Sequence, residues 1–92
     1  MKKRDLDALY RAFGNLVRLS REQRRDPLSQ EKLGGLVGLS RTSITNIEKG
    51  RHHIALHQLL AFARALKVRP EALLPAEWHR GVRKRKSARR RP

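Results

Sequence analysis

The apolar residues in the first quarter of the chain recur every three or four positions. This spacing puts them on one face of a helix, so the pattern predicts a helix over residues 5 to about 24, with Asp5 and Asp7 near its anion-favouring start. Pro27 ends the helix, because proline disfavours helical geometry at the preceding Asp26. The basic residues on the rest of this helix are interpreted mainly as a solvated surface. The apolar stripe is Leu6, Leu9, Phe13, Leu16 and Leu19, and the basic residues are Arg11, Arg18, Arg21, Arg24 and Arg25.

Two short helices joined by a tight turn are predicted between residues 28 and 51. Ser29 and Ser40 are of a residue type that caps helix N-termini, and each has an apolar residue directly before it and another four positions after it. Gly38 follows the first helix, where a chain leaving a helix often enters the left-handed region. The pattern therefore predicts helix, turn, helix; the apolar pairs are Leu28 with Leu33 and Leu39 with Ile44.

Two further helical segments complete the pattern. Leucines at helical spacing predict a fourth helix over residues 56 to 66, and Pro70 is placed to start a short fifth helix that Pro75 bounds. The fold class is therefore all-α, a compact five-helix domain over residues 1 to 78. The predicted core is Leu9, Phe13, Leu16, Leu33, Leu36, Val37, Ile44, Ile47, Leu56, Leu59, Leu60, Ala63, Leu66, Val68, Leu73 and Leu74.

The third predicted helix has one apolar side and one polar side without acid. At about 100° per residue, its polar side chains fall within an arc of about 140°, opposite Ile44 and Ile47. Arginine can pair with guanine, asparagine with adenine, and a threonine methyl can pack on the methyl of thymine, so the side suits base edges in a major groove. An ordinary solvated helix face would show the same pattern. The polar residues are Arg41, Thr42, Thr45, Asn46 and Lys49.

Residues 28 to 50 resemble the helix-turn-helix of the lambda-repressor-like (Xre/Cro-type) DNA-binding family. The run LHQLLAFARALKVRPEALLP is similar to the family's last two helices, so the resemblance covers roughly residues 13 to 75. The matching positions are Ser29, Gln30, Leu33, Gly38, Ser40, Ile44, Ile47, Glu48 and Gly50. The resemblance implies that Arg41, Thr42, Thr45 and Asn46 read bases and that Gln30, Ser43, Lys49 and Arg51 hold phosphates.

The chain departs from the family pattern in several places. The first helix starts a turn or more earlier, and the link after it is two or three residues longer. Gly34 stands where the family usually has Ala, and it is expected to let the third helix cross closely, whereas Gly35 has no such explanation. Ala55 stands where a capping Ser is usual, and Lys67 stands where a Gly is usual. Both ends of the fourth helix therefore look under-capped.

Charge points to a polyanionic partner. The chain has 23 Lys and Arg against 8 Asp and Glu, a formal net charge of +15, which favours nucleic acid. An anionic membrane is the weaker alternative, because no helix sets a basic face opposite an aromatic one, and no apolar run is long enough to span a bilayer. Without cysteine there is no disulfide or thiolate metal site. We expect a soluble cytoplasmic protein associated with the nucleoid.

The end of the chain, residues 79 to 92, reads HRGVRKRKSARRRP and has no acid. A like-charged block with almost nothing apolar cannot offset the entropy of folding, so it is predicted to be disordered when free. It is interpreted as an arm that follows phosphates, with a solubilising tail as the alternative. Trp78 is interpreted either as the last core side chain or as an anchor between subunits.

Catalysis and metal binding find little support. His53 and His57 are four residues apart, but two ligands are too few for a metal site and no acid lies close to them in the sequence. No nucleophile, base and orienting acid can be assembled, and the glycines do not form a phosphate-binding loop. We therefore expect neither an enzyme nor a cofactor.

The expected function is sequence-specific binding of double-stranded DNA by a transcription regulator. A homodimeric repressor on a palindromic operator is the favoured form, since one helix reads only a few base pairs. The short chain suits a phage Cro-like repressor, a controller protein or an antitoxin that represses its own operon. Two alternatives remain: an antitoxin-like module that mainly binds a protein partner, such as a toxin or signalling protein, and an RNA-binding protein that uses the basic arm.

Overall fold

The computed structural model describes residues 1 to 77, which form four α-helices followed by one turn of 3₁₀ helix. The helices are α1 (Lys3–Glu22), α2 (Gln30–Val37), α3 (Arg41–Glu48) and α4 (Leu56–Leu66). The described residues contain no strand, so the predicted all-α class is confirmed. Within them, no helix is both long and apolar enough to cross a membrane. Trp78 and the basic arm lie outside the described residues, as does the predicted domain boundary.

The prediction of a fifth α-helix is wrong, because Pro70–Leu73 forms only a single 3₁₀ turn. The amide of Ala72 donates to the carbonyl of Arg69 at 2.9 Å. Both this bond and the next one in the turn span three residues, as in a 3₁₀ helix, instead of the four that an α-helix needs. Leu74 is already extended, with φ −115° and ψ 151°, so the segment is too short to add an α-helical turn.

The core draws buried apolar residues from all four helices and from the 3₁₀ turn, and α2 packs against both α3 and α4. The rings of Phe13 and Phe62 meet edge to face with their centroids 5.9 Å apart, an arrangement that aromatic pairs favour. The prediction omitted Phe62 and Val17, although both are fully buried. The buried apolar residues are Phe13, Val17, Leu33, Ile44, Ile47, Phe62, Ala63, Leu66 and Leu73.

Three residues were wrongly assigned to the core. Leu36, Leu56 and Leu60 are 60%, 75% and 51% exposed. On α4 the reason is helical phase: once Phe62 packs against Phe13, the side of α4 that carries Leu56 and Leu60 faces solvent. The remaining predicted core residues are buried or half-buried.

The predicted starts of α2 and α3 and the predicted end of α2 are confirmed. The hydroxyl of Ser29 accepts a hydrogen bond from the amide of Lys32, and that of Ser40 accepts one from the amide of Ser43. Gly38 adopts φ +75° after α2, as a helix C-terminus in the left-handed region requires. These contacts satisfy amides that would otherwise lack partners at the helix starts.

The two central glycines of α2 differ in their surroundings. A Cβ on Gly34 would lie 2.5 Å from the carbonyl oxygen of Leu39 and 3.4 Å from Cγ1 of Ile44. The predicted need for a small residue at Gly34 is thus explained by the close approach of the turn and of α3. A Cβ on Gly35 would meet nothing within 4 Å, so the structure offers no packing reason for that glycine.

Both ends of α4 have the weak caps that the sequence predicts. Lys67 is in the left-handed region at φ 58°, the only non-glycine residue among those described with a positive φ. Its amide donates to Arg64 at 3.2 Å while the amide of Val68 donates to Ala63 at 3.0 Å, which is the bond pattern of a glycine-capped terminus. Ala55 supplies no side-chain oxygen at the other end, although Gln58 accepts a hydrogen bond from the amide of Ala55 at 2.8 Å.

We expect Lys67→Gly and Ala55→Ser each to stabilise the domain. Glycine removes the crowding of the Lys67 Cβ, worth roughly 1 kcal/mol, and serine adds the missing N-terminal cap, worth about 0.5–2 kcal/mol. Urea unfolding of both single variants and the double variant measures the effects, which should add because the sites share no partner. A lower free energy of unfolding for Lys67→Gly would contradict the left-handed turn.

Candidate nucleic-acid interface

Helix α3 is held to the core by one side only. Ile44 and Ile47 are 0% and 3% exposed and anchor that side. At its C-terminus Gly50 adopts φ +75°, and the amide of Arg51 donates back to the carbonyl of Asn46 at 2.9 Å. With both ends capped and one side buried, α3 presents its opposite side as a rigid surface.

The four residues expected to read bases lie together on that outer side. Arg41 and Thr42 are exposed, and Thr45 and Asn46, one helical turn further on, are half-buried. Within residues 1 to 77, the side chains of Arg41, Thr42 and Asn46 form no hydrogen bond. Their donors and acceptors are therefore available to an external partner.

The outer side of α3 carries positive charge. Arg41 and Lys49 are both exposed there. The one carboxylate of α3 belongs to Glu48, whose side chain is only 3% exposed and points into the domain. A basic, hydrogen-bonding surface with no facing carboxylate attracts an anionic partner.

The four residues expected to hold phosphates are in different situations. Lys49 and Arg51 are exposed near the C-terminus of α3. Ser43 is half-buried, and its hydroxyl accepts a hydrogen bond from the hydroxyl of Ser40 at 3.1 Å. Gln30 is the first residue of α2, and its side chain bonds to Glu48 and Thr45. The side-chain amide of Gln30 is thus held in place beside the outer side of α3.

A buried ion pair joins α1 to α3. Nε of Arg21 donates to Oε2 of Glu48 at 2.7 Å, and a second guanidinium nitrogen donates to Oε1 of Glu48 at 2.9 Å. The third nitrogen of Arg21 donates to the carbonyl of Leu28 at 3.0 Å. Two parallel bonds between the planar groups fix both their distance and their orientation. The pair therefore sets the position of the end of α3 relative to α1.

The environment of Arg21 stabilises its charged form. The hydrogen bond to Glu48 is the largest influence; it raises the pKa of Arg21 above its ordinary value and outweighs the opposing effect of burial. A raised pKa on a cation adds stability that is present below the ordinary pKa and is lost only as pH rises past the raised value. Arg21 consequently stays charged throughout the neutral and mildly alkaline range.

Arg21 is a site residue that the sequence interpretation missed, because it was grouped with the solvated arginines of α1. A signal was present: Phe13, Val17 and Arg21 follow one another at intervals of four, in line with the buried stripe. Glu48 likewise follows the buried Ile44 by four residues. Opposite charges that each continue a buried apolar stripe predict a buried pair.

Gly14 lets α1 cross the end of α3 at close range. A Cβ on Gly14 would collide with the carbonyl oxygen of Ile47 and would lie 2.7 Å from that of Glu48. These are backbone atoms, so no side-chain rotation could relieve the contact. Gly14 therefore complements the ion pair in positioning α3, and the sequence interpretation did not single it out.

His53 is placed by an aromatic contact. Its ring stacks on Tyr10 with the centroids 4.3 Å apart and an interplanar angle of 16°. In the part of the chain that the structure describes, no three His, Cys, Asp or Glu side chains are grouped so that they could hold a metal ion. The ring contact links α1 to the connector before α4.

Comparison with known proteins gives a consistent answer. Residues 12 to 76 match the family model described as a helix-turn-helix domain. The chain is 39% identical over 62 residues to control protein C.BamHI of Bacillus amyloliquefaciens, a match that covers 67% of this chain and 75% of the relative.

Two solved structures are similar in both fold and sequence. The restriction-modification controller protein C.AhdI of Aeromonas hydrophila has a TM-score of 0.68 at 35% identity, over 75% of this chain and 97% of that one. The hypothetical transcription factor NHTF from Neisseria has a TM-score of 0.67 at 34% identity, over 77% of this chain and 79% of that one. This chain therefore belongs to the Xre/Cro-type helix-turn-helix family of DNA-binding transcription regulators.

Proposed function

We propose that this protein is a controller of restriction–modification genes that binds a specific double-stranded DNA operator through the outer side of α3. The observation that carries the proposal is the group of unpaired polar side chains of Arg41, Thr42 and Asn46 on a basic surface beside a buried, rigid anchor. Relatives named as control and controller proteins support the restriction–modification role. In this proposal α3 enters the major groove and acts in the cytoplasm on nucleoid DNA.

Phosphate contacts complete the proposed interface. Gln30 and Ser43, at or near the N-termini of α2 and α3, would bond the backbone, because amides and hydroxyls at helix starts suit phosphate oxygens. Lys49 and Arg51 would add charge from the end of α3. These contacts position the domain without reading sequence.

A homodimeric repressor is the form we propose. Eight residues of α3 reach only a few base pairs, so a second subunit on a second half-site is needed for useful specificity. Leu56 and Leu60 lie one turn apart on α4 and are 75% and 51% exposed, an apolar surface suited to a second copy of the chain.

Selection of bound sites from random DNA tests the proposed function. We expect a palindrome with half-sites about one helical turn apart, two subunits per site by sedimentation, and lower output from a reporter placed behind that site. Failure to enrich any site would overturn sequence-specific binding. One subunit on a single half-site would overturn only the homodimer.

Alanine variants should separate base reading from phosphate contact. Arg41→Ala or Asn46→Ala is expected to weaken binding to the selected site by about 1–3 kcal/mol and to leave binding to random DNA nearly unchanged. Lys49→Ala is the matched control and should weaken both equally while lowering the salt dependence. Fluorescence anisotropy at several salt concentrations measures this. Equal losses on both DNAs for Arg41→Ala would contradict its role in base reading.

A further inference from the structure

A chain of hydrogen bonds runs from the buried ion pair to the outer side of α3. Arg21 donates to Glu48, and Nε2 of Gln30 donates to Oε1 of the same carboxylate at 3.0 Å. The hydroxyl of Thr45 then donates to Oε1 of Gln30 at 2.9 Å. This series of hydrogen bonds thus ends at Thr45, which faces the proposed DNA site.

The guanidinium of Arg21 and the carboxylate of Glu48 set the direction of every hydrogen bond in this series. A guanidinium can only donate, and an ionised carboxylate can only accept. Gln30 must therefore turn its amide nitrogen to Glu48, since the reverse orientation would put two acceptor oxygens against each other. Its amide oxygen then faces Thr45, so the hydroxyl of Thr45 is the donor in that contact.

The second neighbour of the Thr45 hydroxyl is also an acceptor. The carbonyl oxygen of Arg41, one turn earlier in α3, lies 3.1 Å from Oγ1 of Thr45. A hydroxyl has one proton to donate and two lone pairs that can accept. Both neighbours of the Thr45 hydroxyl, Oε1 of Gln30 and the carbonyl oxygen of Arg41, are acceptors, so its proton is used within the protein. Thr45 can therefore offer the groove only lone-pair density and its methyl group.

We propose that Thr45 reads its base as a hydrogen-bond acceptor, an inference that rests on the proposed function. Its partner is then a base whose major-groove edge carries an amino group, either adenine through N6 or cytosine through N4. Guanine presents only acceptors, N7 and O6, to that groove and is discriminated against at this position. The buried pair of Arg21 and Glu48 thereby contributes to sequence preference without touching DNA.

Variants of Thr45, combined with a base that lacks one amino group, test this proposal. Valine keeps the shape of threonine and removes its oxygen. The operator position at which the base preference differs between wild type and Thr45→Val therefore marks the base that Thr45 contacts. Replacing the contacted base by its analogue without the exocyclic amino group should weaken wild-type binding about fivefold. The same replacement should leave Thr45→Val binding unaltered. Thr45→Ser, which keeps the oxygen, is the control and should respond like wild type.

The outcomes distinguish this proposal from the function on which it rests. A guanine preference that disappears in Thr45→Val would show that Thr45 donates and would overturn the inference. A selected operator whose base preferences are all the same in Thr45→Val would overturn it as well, with sequence-specific binding intact. If wild-type protein enriches no site at all, the proposed function itself fails.

Discussion

Glu48→Ala is expected to lower the free energy of unfolding by about 3–5 kcal/mol, the cost of leaving a buried charge without its partner. The side chains of Arg21 and Glu48 are only 10% and 3% exposed, so water cannot replace the lost carboxylate. A small domain has only about 5–15 kcal/mol of total stability, so much of it would be removed. Urea unfolding followed by circular dichroism measures the change.

Arg18→Ala is the matched control for this prediction. Arg18 pairs with Glu22 on the same helix at 3.1 Å, but the two side chains are 43% and 48% exposed. An exposed pair of this kind contributes about 0.3–0.5 kcal/mol, and its loss should hardly be noticed. The double variant Arg21→Met with Glu48→Leu should recover much of the loss, because no charge is then left buried. If Glu48→Ala and Arg18→Ala have similar effects, the ion pair is not the buried anchor described above.

Gly14→Ala is expected to destabilise the domain by about 2 kcal/mol net. Overpacking costs up to about 3 kcal/mol when backbone atoms must move, and the better helix propensity of alanine offsets about 1 kcal/mol. The added methyl collides with the carbonyl of Ile47, so α1 and α3 must separate. Because α3 would shift, we also expect weaker binding to the selected DNA site.

Gly35→Ala makes the same chemical change in an open part of a helix. A Cβ there meets nothing within 4 Å, so only the propensity gain of about 1 kcal/mol remains and the domain should become more stable. Thermal unfolding of the two variants side by side gives opposite shifts in Tm. A higher Tm for Gly14→Ala would show that the close crossing of α1 and α3 is absent in solution.

The features predicted correctly from the sequence are local ones. The caps at Ser29, Ser40 and Gly38 involve partners within four or five residues along the chain, so their signals are contained in short windows. The left-handed conformation of Lys67 is instead predicted from the resemblance, because the family usually has a Gly at this position after α4.

The features missed or misplaced depend on contacts between distant segments. Arg21 and Glu48 each continue a buried apolar stripe, but they are 27 residues apart and no local pattern pairs one with the other. The exposed side of α4 could not be identified until Phe62 was known to pack on Phe13, because several leucines compete for the apolar stripe. A 3₁₀ turn and a short α-helix begin with the same proline signal, so the sequence at Pro70 does not distinguish between them.

The ends of the link between α1 and α2 are joined independently of the residues between them. The amide of Leu28 donates to the carbonyl of Arg21 at 3.2 Å, and the guanidinium of Arg21 donates to the carbonyl of Leu28 at 3.0 Å. The loop that follows Glu22 and runs to Pro27 is thus closed at both ends, and its length does not set the distance between the helices. Doubling the length of such a loop costs only about 0.6 kcal/mol in closure entropy, so we expect the domain to tolerate a longer link here. A peptide tag can be inserted at the same place, and in a chain without cysteine an Arg25→Cys change provides a single site for a fluorophore.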